Sequence, residues 1–257
     1  MFPILFYINN GLTIYTYPLL ILLGSMISSY YFSRIADQNK LTLDFLSDHF
    51  FLLTIVTFLF ARLGGLIQNF SMLLENYWRF FYIFDGKYNF YTGIFGFIIC
   101  FSIIAYFKKE NVWKWMDTLA LPFLLFFFFT AIGDFLAGNN YGMPSNLPWA
   151  VSFNIPEVRY TIPVHPVQIY EAILLLLLIL FIQIIKRKNQ YNGTIATYSL
   201  FGFFLIKTIL HFLRGIPDVL VAGFSLSLFF SITFTTLSLI VLAIKIYPHM
   251  HFFTHEK

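Results

Sequence analysis

The sequence contains two unbroken apolar runs, LALPFLLFFFF at Leu119–Phe129 and ILLLLLILFI at Ile173–Ile182. Strands of a membrane β-barrel would instead alternate apolar and polar side chains over about ten residues. A helix needs about 20 predominantly apolar residues to cross the hydrocarbon core of a bilayer. Because apolar blocks near that length recur along the chain, the sequence predicts an all-α integral membrane protein.

The composition excludes the other broad classes. Of the 257 residues, 59% are hydrophobic and 11% are charged, and the mean hydropathy is +0.76. A soluble domain carries roughly 25% charged residues, so a soluble globule is excluded, as are disordered, collagen-like and disulfide-rich chains. The single cysteine, Cys100, lies in an apolar run, which favours a packing role. The basic residues lie between apolar blocks, so the net charge of +4 indicates topology rather than nucleic-acid binding.

We predict one polytopic membrane domain over residues 1–257. Most of its 16 lysines and arginines fall after the first, third and fifth spans and in the C-terminal tail. The positive-inside rule then places the N-terminus outside and the C-terminus in the cytoplasm. No basic residue precedes Arg34, which argues against a cleaved signal peptide. The seven predicted spans cover residues 13–33, 46–69, 91–107, 118–137, 167–185, 194–213 and 225–246.

Two extracytoplasmic insertions follow from these spans, at about residues 70–90 and 138–166. The second contains Pro144, Pro148, Pro156, Pro163 and Pro166. Proline fixes φ and lacks a donor, so this insertion is predicted to be ordered but irregular.

Ionisable side chains inside predicted spans are candidates for function, because charge is costly in a bilayer. Arg62 precedes Gly64 and Gly65, which would let a neighbouring helix approach closely and place the arginine in the bundle. An arginine that snorkels to a headgroup is equally compatible with the sequence. Asp117 opens the fourth span, where a structural role at the helix N-terminus is favoured. Asp134 lies deeper, so a functional role is favoured over a structural pair with Lys207 or Arg62.

Two further polar groups lie near the ends of spans. His165, Gln168, Tyr170 and Glu171 enter the fifth span together behind Pro166, which exceeds what the helix dipole requires. In the sixth span, Lys207, His211 and Arg214 are spaced so that they share one helix face. Such a cationic stripe suits an anionic ligand at headgroup depth, such as a lipid phosphate.

These residues, in this order, resemble the prolipoprotein diacylglyceryl transferase family over nearly the whole chain. The matching segments are TYPLL at Thr16–Leu20 with Gly24, FARLG at Phe60–Gly64, GDFLAGNNYG at Gly133–Gly142, MPSNLPWAV at Met143–Val151, HPVQIYE at His165–Glu171 and LHFLRG at Leu210–Gly215.

The resemblance implies transfer of the diacylglyceryl group of phosphatidylglycerol to the lipobox cysteine of a prolipoprotein. Both partners, the phospholipid and the prolipoprotein, would be met in the bacterial inner membrane, and the phospholipid would enter sideways from the bilayer. Removing the thiol proton requires a base, and the leaving phosphate requires cations. This chemistry requires no metal and no bound cofactor, and the nucleophile belongs to the substrate.

This chain departs from the family pattern at several positions. The signature arginine that holds the phospholipid falls on Ala131, and the signature asparagine falls on Asp134. The family histidine falls on Tyr91, a second arginine on Lys207, and a glutamate on His211. We therefore expect an altered active site, in which His211 acts as the base and Asp134 orients it.

The predicted site joins catalytic and substrate-binding residues. Asp134, Lys207 and His211 are expected to form one buried cluster facing Tyr17 and Tyr91. The predicted catalytic residues are His211, Asp134, Tyr17 and Tyr91, and the predicted substrate-binding residues are Arg62, Gly133, Gly138, Asn140, Gly142, His165, Tyr170, Glu171, Lys207 and Arg214.

Two alternatives stay open at this point. A paralogue could keep the scaffold and bind phospholipid or lipoprotein without catalysis, which the losses at Ala131 and Tyr91 favour. The buried charges favour the enzyme, because a pure scaffold does not need them. A small transporter is a weaker alternative, since the sequence shows no convincing internal repeat.

Overall fold

The computed structural model describes residues 4–8, 12–70, 74, 76–82, 85–153, 158–188, 192–215, 220–221 and 224–252. Seven helices in this part of the chain are long and apolar enough to cross a membrane, so the predicted number of spans is confirmed. The helices are α1 (Thr16–Gln38), α2 (Asp44–Gln68), α3 (Phe90–Phe107), α4 (Val112–Ala137), α5 (Val167–Lys188), α6 (Thr194–His211) and α7 (Leu226–Phe252).

Among the described residues, sheet is confined to two small antiparallel pairs of strands. The first pairs β1 (Ile4–Ile8) with β2 (Leu12–Tyr15), and the second pairs β3 (Leu220–Val221) with β4 (Phe224–Ser225). A short 3₁₀ helix, Tyr77–Phe81, lies between α2 and α3. Thr16, Gln68, Phe90, Ala137, Val167 and His211 lie at one end of the bundle, which we call the outer end because the charge distribution predicts that it faces outward. The opposite end is called the inner end.

The helix boundaries differ from the predicted spans by more than two residues in α1, α4, α5 and α7, and the last of these ends at Phe252 rather than residue 246. The first helix begins at Thr16 rather than residue 13, because the preceding residues pair as β2, and it continues through Arg34 to Gln38. Arg34 donates to the Tyr30 hydroxyl one turn earlier, so its charge is accommodated on the helix. The fourth helix begins at Val112, since the Asn111 side chain accepts from the Lys114 amide and caps it.

The largest buried cluster joins α4, α5 and α6. Leu124, Leu175, Ile182 and Phe203 are inaccessible to solvent within it. Helix α1 packs along α4, and α7 packs along α6. The centre of the bundle is therefore built around α4 and α6, the helices that carry Asp134 and Lys207.

Helices α2 and α3 form a separate tightly packed pair. A methyl group added to Gly64 would overlap Thr92, and one added to Gly65 would overlap the Lys87 carbonyl. The close approach expected from these two glycines is therefore confirmed. At the inner end the pair joins the rest of the bundle through an aromatic cluster in which Trp115 contacts Phe32, Phe45 and Phe101.

Asp117 links two helices at the inner end. Its carboxylate accepts hydrogen bonds from the backbone amides of Gly193, at 2.5 Å, and Ala196, at 2.7 Å. The structural role predicted for Asp117 is therefore confirmed, but the helix start that it satisfies is that of α6 rather than its own. Nearby, the Lys245 ammonium lies 3.7 Å from the centre of the Trp113 ring and donates to the Asn192 carbonyl.

The second insertion is irregular, as predicted, where residues 138–153 and 158–166 are described; Pro156 lies outside the described residues. Gly138 ends α4 in the left-handed region with φ 76°, and Asn140 follows with φ 51°. The Gly142 amide donates to the His165 carbonyl at 3.0 Å, and Gly142 also forms an isolated bridge with Arg214. A Cβ at residue 142 would overlap His165, which explains the glycine there. These contacts hold the insertion against the start of α5 and the end of α6.

Candidate functional site

An ion pair between α5 and α6 lies near the outer end of the bundle. The Lys207 ammonium and the Glu171 carboxylate approach to 2.5 Å. Their side chains are only 25% and 14% exposed. The same ammonium lies over the rings of Phe203 and Phe127, at 5.6 and 6.0 Å from their centres. A cation in such apolar surroundings needs its carboxylate partner.

A chain of hydrogen bonds runs beside this pair. The Asn140 amide donates to the Asp134 carboxylate at 2.7 Å, and the Arg214 guanidinium donates to the Asn140 carbonyl oxygen at 2.5 Å. Asp134 is 8% exposed, so its burial depends on this amide donor. The Asp134 carboxylate also interacts electrostatically with Lys207 and Glu171. The ion pair and the hydrogen-bonded chain therefore form one polar cluster, made of Asp134, Asn140, Glu171, Lys207 and Arg214.

Tyr17 lies against this polar cluster, as predicted. It interacts electrostatically with Asp134, and its ring lies close to Gly133. A Cβ added to Gly133 would come within 3.1 Å of the Tyr17 ring. Gly133 therefore makes room for Tyr17, while Gly138 makes the turn that brings Asn140 back to Asp134.

The segment that opens α5 holds its own network. The Tyr170 hydroxyl accepts from the Trp149 indole at 2.8 Å and lies 3.4 Å from Nδ1 of His165. The Gln168 amide donates to the Asn139 carbonyl, next to Asn140. His165 and Tyr170 are thus fixed at the outer end, and Trp149 is a member of this network that the sequence did not single out.

Asp134 and Lys207 lie in the same polar cluster, but the less favoured alternative, a structural pair of Asp134 with Lys207 or Arg62, is not the ion pair that either cation forms. Lys207 pairs with Glu171, and Arg62 pairs with Asp85. The reason is geometric: the α5–α6 crossing brings Glu171 directly to the ammonium, while the turn after α4 gives Asp134 an amide donor. The predicted roles of these residues in catalysis and substrate binding stay predictions.

His211 and Tyr91 have other surroundings than those predicted. His211 Nε2 lies 3.3 Å from the hydroxyl of Ser225, whose oxygen accepts from the Leu228 amide at the start of α7. The Tyr91 ring stacks on Phe230 and Phe234, with ring centres at 5.8 and 6.4 Å. His211 therefore meets the residue that precedes α7, and Tyr91 meets α7 itself.

Arg62 lies inside the bundle, which settles the choice between burial and snorkelling. It is 2% exposed, and its guanidinium binds both carboxylate oxygens of Asp85, at 2.5 and 3.0 Å. It also donates to the Lys87 carbonyl and lies 5.4 Å from the centre of the Tyr88 ring. Sequence reasoning missed Asp85. The available signal was that Glu75 and Asp85 are the only carboxylates between α2 and α3.

This contact predicts a pH dependence. The hydrogen bond from Arg62 lowers the pKa of Asp85 from its ordinary 3.8 to about 2. Because the folded-state pKa is the lower one, the stabilisation is complete above the unfolded value and is lost as the pH falls through about 2. We expect the unfolding temperature to decline between pH 4 and pH 2 less steeply in Asp85→Asn than in the unaltered protein. Thermal unfolding in detergent across this range tests it, and parallel pH profiles would contradict the assignment.

An apolar cavity of about 580 Å³ lies within the bundle, and its lining runs from Phe90 at the outer end to Met116 near the inner end. Its walls come from α1, α2, α3, α4 and α6. Phe90 and Phe123 line it and contact Phe127 and Phe203, the two rings beside Lys207. The wall of the cavity therefore contacts the rings that lie beside Lys207. Its volume lies within the roughly 300–1,000 Å³ of small-molecule sites.

Comparison with known proteins gives a consistent result. The sequence profile of the prolipoprotein diacylglyceryl transferase family matches residues 3–244. The chain is 32% identical over 239 residues to the phosphatidylglycerol–prolipoprotein diacylglyceryl transferase of Clostridium tetani, covering 90% of this chain and 93% of that protein. It is 29% identical over 248 residues to the protein of that name from Idiomarina loihiensis, covering 94% and 90%. The protein of that name from Campylobacter lari is 26% identical over 213 residues, covering 79% and 75%.

Proposed function

Since the chain belongs to the prolipoprotein diacylglyceryl transferase family, we propose that it transfers the diacylglyceryl group of phosphatidylglycerol to the cysteine of a prolipoprotein. The reaction takes place in the bacterial inner membrane, where both substrates are embedded. The resemblance in motifs and the substrates named for the relatives support this proposal.

The polar cluster is the observation that carries the proposal. It places one ammonium and one guanidinium, from Lys207 and Arg214, near the outer end of the bundle. Positive charge at this depth suits the negatively charged phosphate of a phospholipid that reaches the site from the bilayer. Lysine binds phosphate as a point charge, and arginine can present two donors to it.

The chemistry requires one bond to form and one to break. The cysteine sulfur attacks the glycerol carbon of the diacylglyceryl group, and the bond from that carbon to the phosphate oxygen breaks. The electron pair leaves with the glycerol phosphate, whose growing charge is stabilised by Lys207 and Arg214. Of the two candidate bases, Asp134 and His211, the geometry favours Asp134 for the thiol proton. Its carboxylate lies in the same cluster as the two cations, whereas His211 contacts Ser225.

The altered positions form part of the proposal. Ala131 is 1% exposed and carries no polar group. Tyr91, where the family histidine is expected, is stacked on rings of α7. We propose that Lys207, Asp134 and Arg214 have taken over phosphate binding and proton transfer from the missing arginine and histidine.

The surroundings of Tyr91 also favour a second candidate, a paralogue that binds phospholipid or lipoprotein without catalysis. A tyrosine packed among phenylalanines fills space and does not serve as a base. The two candidates differ in one measurable property, which is turnover.

Complementation tests the proposal directly. Expression of this chain in a bacterium depleted of its own diacylglyceryl transferase is expected to restore growth and the mobility of lipidated lipoproteins on a gel. In parallel, purified protein in phosphatidylglycerol vesicles should increase the mass of a lipobox peptide by one diacylglyceryl group. A peptide with serine in place of the lipobox cysteine is the matched control. Phospholipid binding without a mass increase would overturn the catalytic proposal in favour of the paralogue.

A further inference from the structure

The insertion at residues 138–166 contains a ladder of short extended segments. Isolated antiparallel bridges join Val151 to Val164, Val164 to Pro144, and Gly142 to Arg214. The order across the ladder is therefore residues 150–152, 163–165, 142–145 and 213–215. The last segment carries Arg214 of the polar cluster, so one side of the ladder belongs to that cluster. Residues 150–152 form the opposite edge.

The edge at residues 150–152 has backbone groups that face away from the ladder. Val151 exchanges both of its backbone hydrogen bonds with Val164, each at 3.0 Å. In an antiparallel pair the next residue turns its N–H and C=O to the other side. That residue is Ser152, which is exposed, and within the described part of the chain neither of its backbone groups has a hydrogen-bond partner. The edge therefore offers one donor and one acceptor to another extended chain.

Packing holds this edge in place. Val151 lies against a buried cluster that includes Phe153, 4% exposed, and Val164, which is inaccessible to solvent. The Trp149 indole, just before the edge, donates to the Tyr170 hydroxyl at 2.8 Å. Because the edge is fixed before a partner arrives, pairing costs little ordering on the side of the protein.

The edge lies within reach of the polar cluster. Neighbouring strands are about 4.8 Å apart, so three steps place the edge roughly 14 Å from the segment of Arg214. An extended chain rises about 3.3 Å per residue and covers that distance in about four or five residues. Tyr170 gives a direct link, since it contacts Trp149 and immediately precedes Glu171 of the polar cluster.

We propose that this edge binds the prolipoprotein by strand addition, through the substrate segment that has left the bilayer next to the cysteine. This inference rests on the proposed function, which supplies the substrate. A chain that leaves the bilayer carries backbone N–H and C=O groups that need partners, and Ser152 supplies one of each. Backbone pairing makes little demand on side chains, so one edge would accept substrates of different sequence.

Removing the outward N–H provides the test. Ser152→Pro breaks no hydrogen bond among the described residues, and proline is tolerated where the N–H of an edge faces solvent. We expect it to weaken binding of a lipobox peptide about fivefold or more, since one hydrogen bond is lost. The peptide has serine in place of the cysteine, so it binds without reacting, and it extends beyond that serine by about eight residues, or roughly 26 Å. Fluorescence anisotropy with the protein in phosphatidylglycerol nanodiscs measures the Kd.

Two controls isolate the backbone. Ser152→Ala removes the hydroxyl but keeps the N–H, so its Kd for the peptide should equal that of the unaltered protein. Empty nanodiscs give the binding that is due to lipid alone. A Ser152→Ala variant that weakens binding as much as Ser152→Pro overturns the proposal.

N-methylated peptides test the same pairing from the other side. Alternate residues of an added strand point their N–H groups at the edge. A single N-methyl group should therefore weaken binding about fivefold at one residue beside the serine and leave the next residue unaffected. This series uses the unaltered protein, so it decides the question if thermal unfolding shows that Ser152→Pro does not fold. Equal effects at successive residues overturn the proposal.

The remaining outcomes separate this inference from the proposed function. Binding is measured without turnover, so peptide binding that depends on the Ser152 N–H supports the edge even if no diacylglyceryl group is transferred. Transfer that is normal in a folded Ser152→Pro variant with an unchanged Kd overturns the edge and leaves the enzymatic proposal standing. If Ser152→Pro instead lowers the mass of the particle in detergent and leaves the Kd unchanged, the edge joins two copies of the chain and the proposal is wrong.

Discussion

Replacing Glu171 with alanine is expected to abolish diacylglyceryl transfer and to lower the free energy of unfolding by roughly 2–3 kcal/mol. The change leaves the Lys207 ammonium among phenylalanines without its carboxylate. A fully buried pair would cost about 3–5 kcal/mol on losing one partner, and we expect less because the Lys207 side chain is 25% exposed. Lipobox-peptide lipidation and denaturant unfolding in detergent measure the two effects.

The double variant Glu171→Leu with Lys207→Met is the matched control. Removing both charges together should recover most of the stability lost in Glu171→Ala, since no ion is left without a partner. Transfer should stay absent, because the cation that meets the phosphate is gone. If the effects on unfolding of Glu171→Leu alone and Lys207→Met alone simply add in the double variant, the two side chains do not form an ion pair in the membrane protein.

The second large effect is expected at Asn140. Asn140→Asp keeps the side-chain shape and the tolerance for φ 51°, but it turns the donor that faces Asp134 into a second carboxylate. We expect the free energy of unfolding to fall by roughly 2–3 kcal/mol, since a hydrogen bond to a charged group is replaced by repulsion. Transfer should fall by about a hundredfold, because repulsion between the carboxylates at 134 and 140 displaces the side chain that positions Arg214.

A reciprocal exchange makes this test specific. Combining Asp134→Asn with Asn140→Asp reverses the direction of the hydrogen bond and gives Arg214 a carboxylate to bind. Stability should return nearly to that of the unaltered protein, whereas transfer should not if Asp134 takes the thiol proton. A double variant no more stable than Asn140→Asp alone would show that the two side chains do not contact each other.

Much of the fold could be predicted from the sequence because the membrane makes a strict demand on length. Runs such as Ile173–Ile182 have no soluble alternative, and all seven spans were found. The errors lie where polar residues continue a helix beyond the hydrocarbon, as at Gln38 and Val112. At Val112 the capping side chain of Asn111, rather than hydropathy, determines where the helix begins.

The candidate site was only partly predictable, and the reason is that pairing depends on how helices cross. The spacing of Lys207, His211 and Arg214 places them on one face of a helix but does not show what that face meets. Glu171 was recognised as unusual, yet its role as the partner of Lys207 follows only from the α5–α6 contact. Asp85 was missed because the segment between α2 and α3 has no periodicity that reports its distance from Arg62.

The contact of Asp117 with the start of α6 has a consequence for biogenesis. While the chain is being synthesised, α4 leaves the ribosome before Gly193 and Ala196. The Asp117 carboxylate therefore lacks these two amide donors when α4 first reaches the bilayer. An unsatisfied carboxylate is costly in hydrocarbon. We therefore expect the inner end of α4 to stay in contact with water until α6 supplies these donors. A nascent chain that stops after α5 leaves this carboxylate without the two amide donors, whereas in the finished bundle the start of α6 covers it.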